Sequence, residues 1–408
     1  MMRKFRHPIA VFVVAVLAVV GIGVGVVAAT TSQRVYGPSW GRFTVAFRES
    51  SIASVDEGGF VPSFLARAGT SSTVFVLGTI PCGNRLCPSL WRGQEDVGGL
   101  PGHFVAVTAP PFTIPKLYGL GQLVFANAQD GYAFQSYGQP TDAAVFATVD
   151  GARSWHRVSL GPGVGGFDLA TARGEFYAVL LRCTWGTASS APSRCHDYRL
   201  GRSRAGSTLW SSVPLTGATT LVNNAISLAA TGSHVWLSYQ VDRQGAVPQL
   251  LESDGGRLPF VRLPQSALYG VQPCMLYPMT STVLWALCPT GMQESVLRST
   301  DAGRKFERVW TTYPTVGSLF MPVTATVAYR YQGVLSTTPQ GLERTTDGGS
   351  SFRVVAPFPF VGGAGEQFFF LDPTDAYAIG SVKRAKSQPE PTLLYTNDAG
   401  VSWHEVVL

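Results

Sequence analysis

Charge is scarce in this 408-residue sequence: Asp, Glu, Lys and Arg together make up 14% of it. The formal net charge of +6 includes Arg3, Lys4 and Arg6 at the extreme N-terminus. About half of the excess is left for the remaining chain, too little to imply a nucleic-acid partner. No Asn-x-Ser/Thr acceptor occurs, the six histidines are scattered, and the cysteines form no Cys-x-x-Cys group. Zinc sites need such tight groupings, so neither a metal nor a cofactor is expected. Two letter matches fail on their context. Gly37-Pro38-Ser39-Trp40-Gly41 lacks the strand and helix that a nucleophile elbow requires. Gly161 to Gly166 spells a dinucleotide fingerprint, but the segment after it reads as strand.

What is present is apolar and turn-rich. Apolar residues reach 45%, with 45 Gly and 27 Pro, a balance that suits many short strands joined by tight turns and excludes a disordered chain. The first thirty residues stand apart. A basic stretch, Met1 to His7, precedes an uncharged apolar run from Pro8 through Thr30. At about twenty residues this run is long enough to span a bilayer. It predicts an N-terminal transmembrane or signal helix, with residues 1–30 a signal anchor that leaves the rest of the chain outside the plasma membrane; the alternative is secretion after cleavage at Ala29. Residues 31–59 then read as a linker.

The six cysteines fit export. They fall into the local pairs Cys82 with Cys87, Cys183 with Cys195, and Cys274 with Cys288. In an oxidising compartment such pairs read as disulfides, although six cysteines allow fifteen connectivities.

A repeat organises the rest. Thr148-Val149-Asp150-Gly151-Ala152-Arg153-Ser154-Trp155 is matched by Ser299 to Phe306 around Asp301, by Thr345 to Phe352 around Asp347, and by Thr396 to Trp403 around Asp398. The Asp side chain can accept bonds from amides of its own turn, the Gly can take positive φ, and the aromatic opens the next strand. Weaker copies lie at Asp254 and at Arg204, where Arg replaces Asp; Asp96 marks the faintest. Successive marks are separated by 54, 54, 50, 47, 46 and 51 residues. A period near fifty filled with strands implies an all-β, seven-bladed propeller of four-stranded antiparallel blades over residues 60–408. In the last period the strands read Gln367 to Phe370, Ala376 to Ile379, Thr392 to Tyr395 and Trp403 to Val407, so the Asp turn joins strands three and four. The last blade is then complete in itself, or Arg42 to Phe47 adds a ring-closing strand.

The repeat resembles the Asp-box, or BNR repeat, which is similar across sialidases, sortilin-type receptors and photosystem II assembly propellers. The resemblance covers roughly residues 60 to 408 and implies a fold, with Asp150, Asp254, Asp301, Asp347 and Asp398 as turn-forming residues. Sialidases add an arginine triad, a Tyr/Glu pair, an Asp acid/base and an Arg-Ile-Pro motif; the last has no match here. Glycoside hydrolysis needs two facing carboxyls, and the spacing of Asp56, Glu57, Glu175, Glu252, Glu294 and Glu366 selects no pair.

Blade geometry puts the Asp turns on one face and the connections from strand two to three on the other. Cys82 to Cys87, Arg182 to Arg199, Gln240 to Gln249 and Ser381 to Pro391 are expected as long loops on that second face, braced by all three cysteine pairs. Arg182, Arg194, Arg199, Arg243, Lys383, Arg384 and Lys386 fall in or beside these loops, against Asp142, Asp197 and Glu390. Such a basic face suits an anionic glycan, an acidic peptide or a lipid headgroup; the alternative is charge that only keeps loops soluble. The expected function is a non-catalytic propeller that binds a protein or anionic glycan, with a sialidase-like glycoside hydrolase as the alternative.

Overall fold

A computed structural model describes residues 59–69, 71–94, 104–112, 122–135, 144–158, 164–185, 192–207, 209–215, 221–241, 248–257, 260–264, 273–289, 293–311, 319–331, 341–357, 367–382, 390–406 and 408. Seven four-stranded antiparallel sheets are each built from consecutive strands. Blade 1 comprises β1 (Val61–Arg67), β2 (Thr73–Cys82), β3 (Arg85–Gln94) and β4 (Val105–Val107). Blade 2 comprises β5 (Gln122–Phe125), β6 (Gly131–Gln135), β7 (Ala144–Thr148) and β8 (His156–Val158). Blade 3 comprises β9 (Val164–Ala172), β10 (Glu175–Trp185), β11 (Pro192–Arg204) and β12 (Ser211–Pro214). Blade 4 comprises β13 (Leu221–Thr231), β14 (His234–Val241), β15 (Gln249–Asp254) and β16 (Val261–Arg262). Blade 5 comprises β17 (Met275–Pro278), β18 (Leu284–Pro289), β19 (Glu294–Ser299) and β20 (Glu307–Thr311). Blade 6 comprises β21 (Leu319–Pro322), β22 (Ala328–Tyr331), β23 (Gly341–Thr345) and β24 (Arg353–Pro357). Blade 7 comprises β25 (Gln367–Phe370), β26 (Ala376–Val382), β27 (Glu390–Thr396) and β28 (His404–Glu405). The seven-bladed architecture expected from the period is therefore present. The expected N-terminal helix, the linker, the candidate strand Arg42 to Phe47 and Asp96 lie outside the described residues, and among those described no helix is long and apolar enough to cross a membrane.

Burial follows position in the blade. Strands one to three are covered on both faces by neighbouring blades, so they read as unbroken apolar runs such as Leu284-Trp285-Ala286-Leu287-Cys288, all buried. The fourth strands lie at the circumference and expose His156, Arg157, Val261, Arg262, His404 and Glu405. A cluster of buried side chains fills every seam, from blades 1 and 2 (Phe75, Leu90, Phe125, Phe146) round to blades 6 and 7 (Tyr329, Leu342, Phe368, Phe370). One residue recurs in all seven blades without belonging to the Asp turn, a buried aromatic near the start of strand two. It is Phe75, Tyr132, Tyr177, Trp236, Trp285, Tyr329 and Tyr377 in turn, none more than 2% exposed. Several spend their polar edge on the next blade. Trp236 Nε1 donates to Ala302 O at 3.1 Å, Trp285 Nε1 to Thr324 O at 3.2 Å, and the Tyr329 hydroxyl to Pro373 O at 2.8 Å. Each buried ring contributes about 2–3 kcal/mol through burial, and those that bond the following blade tie the two blades together.

Among the described residues, side chains close the ring and the first and last blades share no strand. Leu65, Val74 and Val76 of blade 1 pack with Phe369, Tyr377, Ile379 and Tyr395 of blade 7. Gln367 bridges the same seam, its Nε2 donating to Ser63 O at 2.8 Å and its Oε1 accepting from Leu65 N at 3.4 Å. Arg67 adds a bond to Leu371 O at 2.6 Å. Blade 7 is complete within its own four strands among the described residues.

Candidate functional site

The two faces of the ring differ in what their polar groups do. On one face lie the turns between strands three and four. In blade 2 the Thr148 hydroxyl donates to Asp150 Oδ1 at 2.8 Å and accepts from Ala152 N at 3.0 Å, while Asp150 Oδ1 also accepts from Arg153 N and Ser154 N, both at 3.0 Å. Ser154 Oγ donates to Asp150 Oδ2 at 2.6 Å. The core of this set recurs around Asp301, Asp347 and Asp398, whose Oδ1 accepts from the amides of Lys305 at 2.9 Å, Ser351 at 3.0 Å and Ser402 at 2.9 Å, while the hydroxyl bond to Oδ2 is kept by Ser351 and Ser402 and has no counterpart at Lys305. Two successive residues at positive φ make this wrapping possible: Gly151 and Ala152, Ala302 and Gly303, Gly348 and Gly349, Ala399 and Gly400. Alanine is strained there, which shows how firmly the surrounding bonds hold the turn.

The carboxylates respond accordingly. The Ser154 hydroxyl foremost, helped by the Ser154 and Arg153 amides and Thr148 and opposed by desolvation, pulls Asp150 down to about 2. Asp347 is held well below its usual range, first by the Ser351 hydroxyl and then by its amide. For Asp301 and Asp398 desolvation pulls upward, but their hydrogen bonds outweigh it and both are lowered. Each of these turns is tied to the turn between strands one and two of its own blade: Gly151 N donates to Gln129 O at 2.9 Å, Ala302 N to Thr282 O at 2.8 Å, Gly348 N to Thr326 O at 2.9 Å and Ala399 N to Thr374 O at 2.8 Å. Asp254 departs from the expectation that it builds its turn. Its aromatic follows at six residues where the others have five, and among the described residues its carboxylate accepts no hydrogen bond; Ser253 Oγ instead donates to Arg257 O. Arg204 in blade 3 likewise leaves the turn to Ser203, whose hydroxyl meets the Tyr132 hydroxyl at 3.0 Å.

On the opposite face lie the connections between strands two and three. Cys82 and Cys87 are bonded near the tip of the β2–β3 hairpin, with Cα atoms 5.8 Å apart. Cys274 and Cys288 are bonded where β17 begins and β18 ends, with Cα atoms 4.2 Å apart. Both disulfides therefore sit toward this rim. Cys183 and Cys195 stand opposite each other in the β10–β11 register, while their side chains lie outside the described residues.

Two of the expected loops are largely strand. β2 and β3 run directly into a turn at Gly83 and Asn84, and β10 and β11 extend across most of Arg182 to Arg199. The prolines Pro81, Pro88 and Pro192 and the many arginines disguise these strands in the sequence. Arg182 and Arg199 thus stand on strands, and Asp197 lies between them at φ 52° where the register shifts. Arg182 Nε and Arg199 Nη1 each approach the Asp197 carboxylate at 3.6 Å, with the two side chains 51% and 36% exposed. Arg199 also donates through Nε to Ser212 Oγ at 2.9 Å. Arg194 is on β11 with its side chain outside the described residues, as are Arg243, Lys383 and Arg384 entirely.

A Tyr/Glu pair exists, but not at an open site. Tyr177 donates to Glu175 Oε2 at 2.8 Å, and Arg202 Nε donates to the same oxygen at 2.7 Å. Tyr177 is 2% exposed in the seam between blades 3 and 4, where burial first and the Glu175 bond second push its hydroxyl upward. Burial also pulls Glu175 upward, yet the Arg202 and Tyr177 bonds prevail and lower it. The cluster is a structural ion pair: the carboxylate is already saturated. Between blades 6 and 7 a small cavity of about 10 Å³ is lined by Leu319, Met321, Phe368 and Phe370 among others and holds no carboxylate. Among the described residues no group of three or more His, Cys, Asp or Glu could hold a metal ion.

With this geometry in hand, comparison with solved structures agrees on the fold. The chain is similar to an acylaminoacyl peptidase of Pyrococcus horikoshii (TM-score 0.52, 8% identity, 86% of this chain and 52% of that chain). It is similar to a puromycin-hydrolysing peptidase of Mycobacterium tuberculosis (TM-score 0.51, 12% identity, 86% and 54%) and to an oligogalacturonate lyase of Vibrio parahaemolyticus (TM-score 0.50, 8% identity, 83% and 91%). The chain spans about half the length of the two peptidases. At these identities the likeness shows the propeller fold alone. No sequence-family profile matches the chain, and no curated protein matches it.

Proposed function

We propose that this chain is an exported propeller of Asp-box blades, held at the plasma membrane through residues 8–30 or secreted after cleavage at Ala29, that binds a protein or an anionic glycan through its disulfide-bearing rim without catalysis. One observation carries the reading. The carboxylates of the Asp turns are consumed by bonds within their own turns, whereas Arg182 and Arg199 on the other rim keep much of their side chains in solvent. Rigid strands that project a basic, disulfide-braced edge suit recognition of an anionic surface. Disulfides support export, because they persist in oxidising compartments. Arg194, Arg243, Lys383 and Arg384 extend the proposed surface.

Heparin and polyglutamate, titrated against the full chain in detergent at two salt concentrations, test the reading. The expected result is salt-sensitive binding of at least one polymer, lowered about tenfold or more by the double variant Arg182→Glu with Arg199→Glu. Equal binding by that variant overturns the rim assignment. Export is tested separately, by digestion of the propeller with protease added outside intact cells.

A further inference from the structure

We propose that Asp372 and Asp375, in the turn between β25 and β26, form a proton-binding pair: one shared proton fastens the meeting point of blades 6, 7 and 1, and its loss as pH rises loosens that point. The turn is a junction. The Tyr329 hydroxyl of blade 6 donates to Pro373 O at 2.8 Å, and Arg67 Nη1 of blade 1 donates to Leu371 O at 2.6 Å. Within blade 7, Ala399 N donates to Thr374 O at 2.8 Å and the Tyr395 hydroxyl to Asp375 Oδ1 at 2.7 Å.

The equivalent turn of blade 2 is built with an amide where blade 7 has a carboxyl. Both turns close with the same backbone bond, from Ala126 N to Asp130 O at 2.9 Å and from Leu371 N to Asp375 O at 2.8 Å. In each, the first polar side chain accepts from two amides that follow it. Asn127 Oδ1 accepts from Gln129 N at 2.8 Å and Asp130 N at 2.9 Å; Asp372 Oδ1 accepts from Thr374 N at 2.7 Å and Asp375 N at 2.9 Å. In blade 2 the other end of that side chain is a donor, and Asn127 Nδ2 bonds Asp130 Oδ2 at 2.7 Å. Blade 7 has a carboxyl oxygen in its place, and the Asp372 and Asp375 side chains are nonetheless in hydrogen-bond contact. Such a contact needs a proton that an amide would have supplied. Blades 5 and 6 have Val283 and Val327 in the place of the second acid.

Counting hydrogens places that proton. Thr374 Oγ1 lies 2.8 Å from Asp372 Oδ1 and 2.9 Å from Asp375 Oδ2, but its single hydrogen serves only one of them. With a proton on Asp375 Oδ2 every contact has a hydrogen: Asp375 donates to Thr374, Thr374 to Asp372, and Tyr395 to Asp375. The charges around the turn agree. Burial first, and the Asp372 charge after it, raise Asp375 against the Tyr395 and Thr374 bonds. Burial also pulls Asp372 upward, yet the Thr374 and Asp375 amides outweigh it and Asp372 is lowered. The other charged and titratable groups here are Arg67 from blade 1, Tyr329 and Arg344 from blade 6, and Tyr395 and Asp398 from blade 7. Burial raises the Tyr329 hydroxyl, so it remains a donor to Pro373 O throughout. Because Asp375 is raised, its contribution is complete below about pH 4, the unfolded value, and is lost as pH climbs through the raised value. Two adjacent carboxylates then repel.

The test is hydrogen exchange read by mass spectrometry on the full chain in detergent, at pH 4 and pH 7 with a chelator present, each rate corrected for the intrinsic rate at that pH. In the wild type, peptides covering residues 371–376 should be about tenfold less protected at pH 7 than at pH 4, while those covering 126–131 of blade 2 stay level. Asp372→Asn, which supplies the donor that Asn127 has, should keep the blade 7 turn at its acid protection at both pH values. If Asp372→Asn does not fold, Asp375→Asn offers the same donor from the other side and carries the same expectation. Equal protection of residues 371–376 at the two pH values in the wild type overturns the proposal. So does an undiminished fall in the Asn variant, which assigns the titration to another group, or an equal fall in blade 2.

Discussion

The two faces of the ring reach order by different means. On the Asp-turn face, order is local: a hydroxyl, a carboxylate and three or four amides within seven residues hold each turn, and a backbone bond ties it to the neighbouring turn of the same blade. On the opposite rim, order comes from covalent bonds and long hairpins, and the charged groups are left partly in solvent. A surface whose polar groups are already satisfied contributes rigidity. A surface whose cations share one carboxylate retains capacity for a ligand.

The largest expected effect lies in neither face but in the seams that both depend on. Trp236→Ala should cost about 3–5 kcal/mol, because it empties a fully buried site and orphans the Ala302 carbonyl. Denaturant unfolding measures this, and a loss below about 1 kcal/mol would break the view that strand-two aromatics set blade docking. Next come the disulfides. Paired replacement of Cys274 and Cys288 closes no loop of 14 residues and should cost about 3 kcal/mol, against about 2 for the five-residue separation of Cys82 and Cys87. Melting curves of the two double variants rank them, and the reverse order would contradict the loop argument. Asp398→Ala should cost about 1 kcal/mol through its lost turn bonds and leave anion binding unchanged.

The pH dependence sharpens the same contrast. Asp150 has a folded value of about 2, below the ordinary carboxylate value, so the fold favours its ionised form. Its contribution is complete above about pH 4, the unfolded value, and is lost as pH falls toward 2. In Asp150→Asn that acid-dependent segment of the stability curve should flatten, as acid titration of the melting temperature will read. The smallest effect is expected on the rim: Arg182→Glu should change stability by about 0.5 kcal/mol or less, since the pair it breaks is exposed.

The legibility of the sequence divides along the same line. Asp150, Asp301, Asp347 and Asp398 could be read directly because their turns demand particular residue types at fixed offsets, and with the weaker marks at Asp96, Arg204 and Asp254 they gave the period and the blade number. The recurrent strand-two aromatic was equally present, at Phe75, Tyr132, Tyr177, Trp236, Trp285, Tyr329 and Tyr377, but has no fixed flanking residues; a search for one aromatic per period, 16 to 21 residues before the intact Asp turns, finds it in blades 2, 5, 6 and 7. Asp254 misled because composition does not show that a turn one residue longer carries its carboxylate out of reach. The rim was the least legible. Whether Arg182, Asp197 and Arg199 meet depends on a register shift in a hairpin, which is a property of strand pairing and not of local composition.

Closure of the described blades by side chains has a consequence for how the molecule is made. A ring sealed by exchanging a strand between its ends must keep one sheet incomplete until the last residues leave the ribosome. Here blade 1 has all four strands within residues 61–107, and side chains such as Gln367 and Arg67 act as the clasp. Each sheet can therefore be finished in the order of synthesis, with the clasp fastened last.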